Sequence, residues 1–291
     1  MSSSLKKISI VILVHNHEHI SRFCLNSLLN SRYRPLQIVL VDNGSSLAVG
    51  RMLERFARYS HTLDIETDIV RFDTNNGTIY TRNAALERCN GEWIAFLDND
   101  TILRDCRMFE KMTHFLDSHP EVGIVAPKFV YAAAPYRIQS AGGGVTRDGT
   151  CYLIGRGADR AAPEFSCNRS VPWVLSACML MSANLVNQLG SLDTRFHPVG
   201  FEDVDYCFRA RVRGLEVVYL ADTEIYHVEC TTTGSAVLGP KIRLARRNKR
   251  MFRKKWGFLF PKDMAIEDIA YAYSEQPRVP LHELHNLPCL D

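Results

Sequence analysis

Two aspartates separated by one residue, Asp98 and Asp100, are the residues in this chain best suited to chemistry. Residues i and i+2 of an extended segment lie on the same side, so both carboxylates are expected to face one point. Carboxylates held together repel each other unless a cation lies between them. Mg²⁺ or Mn²⁺ with the oxygens of a diphosphate would relieve that repulsion. The same pattern also fits a capped turn, in which both side chains accept backbone N–H groups.

Two further groups could take part in catalysis. The pair Glu202-Asp203 opens a predicted helix over 202–213. Acidic residues in a first helical turn are ordinary partners of the helix dipole, and the functional interpretation is a general base that deprotonates an acceptor hydroxyl. His227 follows a predicted strand pair over 216–225. A histidine there is commonly structural, but imidazole also suits Mn²⁺ beside carboxylates.

A basic stretch at 241–255 contains nine Lys and Arg residues and no acidic one. It is interpreted as a solvated helix face, as a phosphate site that uses Arg246, Arg247 or Lys249, or as a face resting on an anionic membrane surface. Nucleic-acid binding is disfavoured because no stacking aromatic residues alternate with the charges.

Short apolar runs alternate with helical patterns in the first third of the chain, which predicts βαβ units and a parallel sheet. The strands are predicted at 8–14, 38–41, 65–72 and 93–97, and the helices at about 20–31, 47–59 and 78–89. Each strand ends in polar residues, namely His15-Asn16, Asp42-Asn43, Asn75-Asn76-Gly77 and Asp98-Asn99-Asp100. Ligands bind at the carboxyl ends of such strands, so this edge is the predicted site.

The rest of the chain is less regular. A helix is predicted at 104–118, a strand at 122–126, loops with a hairpin at 131–170, strands at 174–181 and 216–220, and a short helix at 183–190. The glycine run 142–144 lacks a following helix and is not a phosphate-binding loop.

The composition is that of a globular protein. The 291 residues are 46% hydrophobic and 23% charged, with a net charge of +3, which excludes a disordered chain, a coiled coil and a general nucleic-acid binder. Nine widely spaced cysteines without a C-x-x-C pattern indicate free thiols in a reducing compartment. No run of 18 apolar residues predicts a membrane span, and the opening run lacks a cleavage site, so a cytoplasmic protein is expected.

Taken in order, these motifs resemble the glycosyltransferases of the GT-A fold, family two, the group that includes bacterial rhamnosyltransferases and galactofuranosyltransferases. The resemblance covers about residues 8 to 256. It rests on Val14-His15-Asn16, Val41-Asp42-Asn43-Gly44-Ser45, Asn75-Asn76-Gly77, Arg82-Asn83-Ala84, Phe96-Leu97-Asp98-Asn99-Asp100, Trp173-Val174-Leu175-Ser176-Ala177-Cys178, Phe201-Glu202-Asp203-Val204-Asp205-Tyr206, His227 and Arg247-Asn248.

The resemblance implies an α/β fold with a mostly parallel central sheet flanked by helices. It implies one domain over 1–262, with a donor half at about 8–127 and an acceptor half at about 128–262, followed by a surface tail at 263–291. The implied activity is inverting and metal-dependent, and moves one sugar from a UDP- or TDP-sugar to an acceptor hydroxyl. The expected acceptor is a saccharide, a lipid-linked compound or a peptide, with a possible peripheral contact at the inner face of the membrane and no specific nucleic acid.

The resemblance also implies roles for individual residues. The implied donor-binding residues are His15, Asn16, Asp42, Asn76, Gly77, Arg82, Asp98 and Asn99. The implied ligands of Mn²⁺ or Mg²⁺ are Asp98, Asp100 and His227, and the implied base is Asp203 with Glu202 beside it. Trp173 and Ala177 line the sugar and acceptor pocket, and Arg246, Arg247 and Lys249 remain phosphate candidates.

The chain departs from the family pattern at four points. Val14 replaces a common Thr or Ser, Asn43 a common Asp, and Ala177 a common Gly. The Gln-x-x-Arg-Trp motif of processive members is absent, which favours transfer of one sugar rather than polymer synthesis. A catalytically inactive sugar-nucleotide-binding scaffold is an alternative. A sugar nucleotidyltransferase is disfavoured because no Gly-rich loop with Arg and Lys follows the first strand.

Overall fold

The computed structural model describes residues 5–228, 238–263, 283–284 and 287–288. Its first third alternates strands and helices, as predicted. The elements are β1 (Ile8–Val14), α1 (Glu18–Leu29), β2 (Leu36–Asn43), α2 (Leu47–His61), β3 (Ile65–Phe72), α3 (Gly77–Leu86) and β4 (Trp93–Asp98). β1 is parallel to both β2 and β4, so Val14 lies opposite Asp42 and Leu13 opposite Asp98. The polar strand ends therefore meet at one edge of the sheet.

The remaining elements complete one large mixed sheet and cover it. They are β5 (Thr101–Leu103), α4 (Met108–Ser118), β6 (Val122–Tyr131), β7 (Ile138–Ser140), β8 (Gly143–Val145), β9 (Cys151–Leu153), β10 (Arg169–Ser170), β11 (Cys178–Ser182), α5 (Ala183–Leu189), α6 (Glu202–Arg211), β12 (Glu216–His227) and α7 (Leu238–Trp256). The strand order is β10-β12-β6-β11-β4-β1-β2-β3, with β5 paired to β12 and β7 to β6. β8 and β9 form the predicted hairpin apart from this sheet.

Two predicted elements begin four residues later than expected. The strand predicted at 174–181 begins at Cys178, the first residue of this segment that pairs with β4, where it lies opposite Leu97. The helix predicted at 104–118 begins at Met108, whose N–H donates to the carbonyl of Asp105.

Two predicted strands that follow β4 are longer than expected. The strand predicted at 122–126 continues to Tyr131, because β7 pairs with its second half. The strand pair predicted over 216–225 is the single strand β12, which has an irregularity between Leu220 and Glu224 and reaches His227. This continuation matters because it carries His227 into the sheet edge where β4 ends.

One hydrophobic core runs from Ile8 to Trp256 and joins both halves of the sheet. Most of the predicted tail at 263–291 lies outside the described residues. The prediction that the tail lies on the surface is wrong for Leu284, which is 3% exposed. Its apolar side chain packs in a second small hydrophobic cluster with Ile20 and Tyr226. The domain boundary at 262 stays a prediction.

Seven cysteines are free thiols in the structure, as predicted, and Cys230 and Cys289 lie outside the described residues. Among the described helices, none has the length and apolar character needed to cross a membrane.

Candidate active site

Three predicted metal ligands meet at the end of β4. Potential ligand atoms of Asp98, Asp100 and His227 all lie within 4.8 Å of one another. The pairing of β5 with β12 brings them together, since Thr101 lies opposite His227 and the N–H of Val228 donates to the Asp100 carbonyl at 2.9 Å. His227 Nε2 lies 3.3 Å from an Asp100 carboxylate oxygen. Residues distant in the sequence therefore form one compact cluster.

The donor set of this cluster fits a divalent cation. It offers carboxylate oxygens, which Mg²⁺ and Mn²⁺ prefer, and one imidazole nitrogen, which Mn²⁺ accepts. Burial raises the pKa of the Asp98 carboxyl, the charge of Arg82 opposes that rise, and the charge of Asp100 adds to it. A bound cation would relieve the repulsion between the two carboxylates.

Gln139 supports the cluster from behind. Its side-chain oxygen lies 2.7 Å from His227 Nδ1, which leaves Nε2 directed toward Asp100. Gln139 is 1% exposed and belongs to β7, inside a segment for which the sequence predicted only loops and a hairpin. A hydrogen bond to the second ring nitrogen fixes the tautomer and orientation of a metal-binding histidine. Nothing in the sequence around Gln139 distinguishes it as such a residue.

Replacing Gln139 by leucine should weaken Mn²⁺ binding by about 10- to 100-fold, the usual cost of losing such a support. Isothermal titration of the purified protein with Mn²⁺ measures the change. The variant Gln139→Glu keeps an acceptor oxygen and should retain most of the affinity. Equal Mn²⁺ affinity in Gln139→Leu and the wild type would contradict the supporting role.

Arg82 links the metal cluster to the acidic pair. It projects from α3, is 2% exposed, and donates to an Asp98 carboxylate oxygen at 2.5 Å and to the Ser176 hydroxyl at 2.7 Å. Its positive charge opposes the rise in the pKa of the Asp98, Glu202 and Asp203 carboxyls. Protein groups hold this guanidinium on two sides. The resemblance implied a donor-binding role for Arg82, and the bonds to Asp98 and Ser176 depend on segments distant in the sequence.

The acidic pair opens α6, as predicted. Glu202 is 5% exposed and accepts the N–H of Gly200 at 2.5 Å; burial raises the pKa of its carboxyl to about 7, and the charge of Asp203 adds to the rise. Asp203 is half-buried and accepts the N–H of Val204 at 2.8 Å. Burial also raises the pKa of the Asp203 carboxyl. A carboxylate with a raised pKa is a stronger proton acceptor.

The raised pKa of Glu202 makes stability depend on pH. The pKa of Glu202 is about 7 in the folded protein, above its usual value of 4.5. Between these two pH values the folded protein therefore keeps a proton on Glu202 that the unfolded chain has lost. The contribution of Glu202 to stability is therefore complete below about pH 4.5 and is lost as the pH rises to about 7. Between about pH 5 and pH 7.5, the free energy of unfolding should therefore fall by about 2 kcal/mol less in Glu202→Gln than in the wild type.

Urea unfolding at both pH values measures this difference, and the variant Glu121→Gln, at an exposed glutamate, is the matched control. Identical pH dependence in Glu202→Gln and in the wild type would contradict the raised pKa.

Asn248 of α7 holds the loop that leads to the acidic pair. Its side chain is 1% exposed and its amide nitrogen donates to the carbonyls of Phe196, Val199 and Gly200 at 3.0, 3.1 and 2.9 Å. The neighbouring Arg247 side chain donates to the Asn248 side-chain oxygen and to carbonyls of the same loop. Asn248 belongs to the Arg247-Asn248 motif found in the sequence. Its role in holding the loop before Glu202 depends on hydrogen bonds to residues distant in the sequence.

The other side of this loop rests on Gly77, at the start of α3. Gly77 has a φ of 68°, and a Cβ there would lie 2.7 Å from Pro198 Cβ and 2.8 Å from the Pro198 carbonyl oxygen. That carbonyl accepts the N–H of Thr78 at 2.9 Å. Any side chain at Gly77 would push the loop away, so glycine keeps α3 and the start of α6 in register.

Hydrogen bonds connect the first two strand-end loops. His15 Nδ1 lies 2.8 Å from the Asn43 carbonyl, and the Asn16 side-chain oxygen accepts the N–H of Ser46 at 3.0 Å. Asp42 accepts the N–H of Ser45 at 3.0 Å. The predicted donor residues thus share one polar edge and also shape it.

Asn43 connects this edge to the third loop. Its side-chain nitrogen donates to Asn75 Oδ1 at 3.0 Å, and its side-chain oxygen accepts the N–H of Asn76 at 2.8 Å. From the sequence, Asn43 is part of the polar end of the second strand and a departure from the family pattern, with no role of its own predicted. In the structure the amide uses one donor and one acceptor together, which an aspartate could not do.

Three other predicted site residues form hydrogen bonds within the protein, two through their side chains and one through its backbone carbonyl. The amide of Asn99 is buried and donates to the Ser21 hydroxyl at 2.7 Å. Trp173 Nε1 donates to the Gly144 carbonyl at 2.9 Å. The carbonyl of Ala177 accepts the backbone N–H of Asp98 at 2.9 Å.

The three phosphate candidates all lie on α7. Lys249 pairs with Asp148 at 2.7 Å, and the Arg247 side chain binds loop carbonyls. Arg246 is exposed. Two of the three cations are thus engaged with protein groups outside the Asp98–His227 cluster.

Comparison with known proteins identifies the family. The model of Glycosyl transferase family 2 matches residues 9–163, which is more than half of the chain. The chain is 26% identical over 255 residues to the uncharacterized protein y4gI of Sinorhizobium fredii, covering 86% of this chain and 27% of that protein. It is 27% identical over 216 residues to the pre-mycofactocin glycosyltransferase of Mycobacterium tuberculosis, covering 74% of this chain and 41% of that protein. The chain thus spans less than half the length of these relatives.

Solved structures share the fold. A mannosyltransferase from Pyrobaculum calidifontis, in complex with GDP-Man and Mn²⁺, superimposes with a TM-score of 0.59 at 16% identity, over 79% of this chain and 59% of that one. GalNAc-T7 with UDP, GalNAc and Mn²⁺ gives 0.65 at 14% identity, over 81% and 45%. At these identities the likeness shows the fold alone, and it confirms the predicted GT-A architecture. The chain belongs to glycosyl transferase family 2.

Proposed function

We propose that this chain transfers one sugar from a nucleotide-diphosphate donor to an acceptor hydroxyl with inversion at the anomeric carbon. The observation that carries the proposal is the buried Arg82, which donates to Asp98 of the Asp98–Asp100–His227 cluster and whose charge also opposes the rise in the pKa of the Glu202 and Asp203 carboxyls. One guanidinium thus acts electrostatically on both the candidate cation site and the acidic pair. The nucleotide sugars and Mn²⁺ named for the solved structures of this fold support the donor class and the metal.

In the proposed reaction the Asp203 carboxylate accepts the proton of the acceptor hydroxyl. The acceptor oxygen forms a bond to the anomeric carbon while the bond from that carbon to the diphosphate oxygen breaks. A single displacement inverts the centre and needs no protein nucleophile. Preorganised charge at the leaving group is a large contribution to catalysis, and Arg82 supplies one fixed positive charge near it.

A divalent cation held by Asp98, Asp100 and His227 would neutralise the charge that develops on the leaving diphosphate. Gln139 would keep His227 in the orientation this requires. His15, Asn16, Asp42 and Asn76 are proposed to bind the nucleobase and ribose, because they share the polar edge beside the cluster.

The acceptor is proposed to be a saccharide, a lipid-linked compound or a peptide, in a pocket that Trp173 and Ala177 help to form. The lipid-linked class is consistent with a peripheral membrane contact through the basic helix α7. UDP- and TDP-sugars are the proposed donors, and the GDP-Man of one solved structure adds GDP-sugars to the set to be tested.

A donor screen tests the proposal. The protein is incubated with UDP-, TDP- and GDP-sugars, with and without Mn²⁺, and binding and slow donor hydrolysis are followed. We expect metal-dependent binding and hydrolysis of one donor. NMR of the sugar product then gives its anomeric configuration, and retention would contradict a single displacement. A folded protein that binds a donor but neither hydrolyses nor transfers it would be the inactive scaffold.

A further inference from the structure

The outer face of α7 is an unusually uniform cationic surface. Residues 241–255 contain nine basic residues and no acidic one. Among the described residues, the ion pairs of this helix are those of Lys249 with Asp148 and of Lys255 with Asp193 and Asp205. The remaining described cations of the helix have no carboxylate opposite them within the described part of the chain.

These cations lie along one stripe. At 3.6 residues per turn, their positions fall within an arc of about 100°. The stripe consists of Arg243, Arg246, Arg250, Arg253 and Lys254, all of which are exposed. The opposite side of α7 is buried through Asn248, Phe252 and Trp256. The helix thus has one face that is fixed to the protein and one face that presents only positive charge.

Exposed apolar residues follow this stripe directly. α7 ends at Trp256 and continues into a 3-10 turn at Gly257–Leu259. Phe258 is 75% exposed and Leu259 is 43% exposed. The exposed Lys262 comes shortly after them. Exposure of a phenylalanine side chain to water is unfavourable. Because Phe258 follows a helix with five exposed cations, a partner that is both anionic and apolar would suit this surface.

We propose that the charged stripe of α7 and the turn Gly257–Leu259 form a docking surface for anionic lipid. The cations lie among the lipid phosphates, and Phe258 and Leu259 enter the boundary between headgroups and acyl chains. Basic helical faces combined with Phe and Leu bind membrane interfaces in this way. A nucleic acid would satisfy the charges but would leave these two apolar side chains without a role, since no aromatic residue stands among the cations of the stripe.

The helix that carries this surface is also bonded to the loop before the acidic pair. The buried face of the same helix carries Asn248, which holds the loop before Glu202. A helix bound to lipid is therefore connected through Asn248 to the loop that precedes the proposed base. The inference deepens the proposed function, on which it rests for the sugar transfer, and it narrows the acceptor to a lipid-linked one.

Vesicle flotation tests the charged stripe with the full-length protein. Vesicles of equal parts phosphatidylcholine and phosphatidylglycerol should bind it, and phosphatidylcholine vesicles should not. Neutralising three cations, in the triple variant Arg243→Gln, Arg250→Gln and Lys254→Gln, should weaken binding by about 100-fold, since each surface charge contributes roughly fivefold.

The matched control is Arg51→Gln, Arg55→Gln and Arg58→Gln, at three exposed positions of α2. It removes the same charge from another helix and should change binding little. Equal losses in the two triple variants would overturn the proposal.

Phe258 supplies a second, independent readout. Phe258→Ala should weaken vesicle binding by about tenfold through lost apolar burial, whereas Tyr59→Ala, at a residue 57% exposed on α2, should not. The variant Phe258→Trp should shift its emission to shorter wavelengths when phosphatidylglycerol vesicles are added. Unchanged emission, or binding to double-stranded DNA as tight as to vesicles and insensitive to Phe258→Ala, would overturn lipid docking in favour of general polyanion attraction.

Failure of this inference is distinguishable from failure of the proposed function. Metal-dependent donor binding is measured without vesicles, and vesicle binding is measured without donor or metal.

Discussion

Replacing Asp203 by asparagine should lower turnover by about 10²- to 10⁴-fold, the range that a positioned general base contributes. The amide keeps the shape of the side chain and an oxygen for the Val204 N–H, but it cannot accept the acceptor proton. Donor affinity should stay near the wild-type value, because the groups proposed to bind the donor lie on the β1–β4 edge. Single-turnover transfer and donor titration separate the two quantities.

Glu202→Gln is the matched comparison for Asp203→Asn. Both variants remove one carboxylate from the start of α6, and both carboxyls have a raised pKa. Asp203 is the more accessible of the two, since Glu202 is 5% exposed and bonded to the Gly200 N–H. The larger loss of turnover is therefore expected in Asp203→Asn. Full activity in that variant would refute its role as base, and a larger loss in Glu202→Gln would transfer the role to Glu202.

Asp100→Ala should weaken metal-dependent donor binding by more than about 100-fold. Losing a hydrogen bond behind a ligand costs about 10- to 100-fold in metal affinity, and losing a ligand itself costs more. Asp100 is 6% exposed and faces His227 Nε2, so another side chain could replace it only after the fold had moved. Donor titrations at rising Mn²⁺ concentration measure the effect.

The control for this substitution is Asp222→Ala, which removes an exposed aspartate from the same strand that carries His227. It should bind metal and donor like the wild type. Chelation of the metal should reduce donor binding by the wild type and have little further effect on Asp100→Ala. An unchanged Mn²⁺ dependence in Asp100→Ala would exclude Asp100 as a ligand.

The first third of the fold could be read from the sequence because its signals are local. Each buried strand is a short apolar run, and polar residues follow it at once. Parallel strands bring their carboxyl ends to one edge whatever their loops do, so the meeting of Asp42 with the ends of β1 and β4 followed from the pattern alone. The start of α6 at Glu202 was also predicted, and the hairpin β8–β9 lies within the segment 131–170 for which loops and a hairpin were predicted.

The sequence by itself therefore determined the family, the βαβ half and the candidate residues Asp98, Asp100, Asp203 and His227. Only the tertiary structure decided which of them meet. His227 reaches Asp100 because β5 pairs with β12, and neither strand specifies its partner locally. The bonds of Arg82, Gln139 and Asn248 likewise join segments far apart in the chain, so no spacing of residues could predict them.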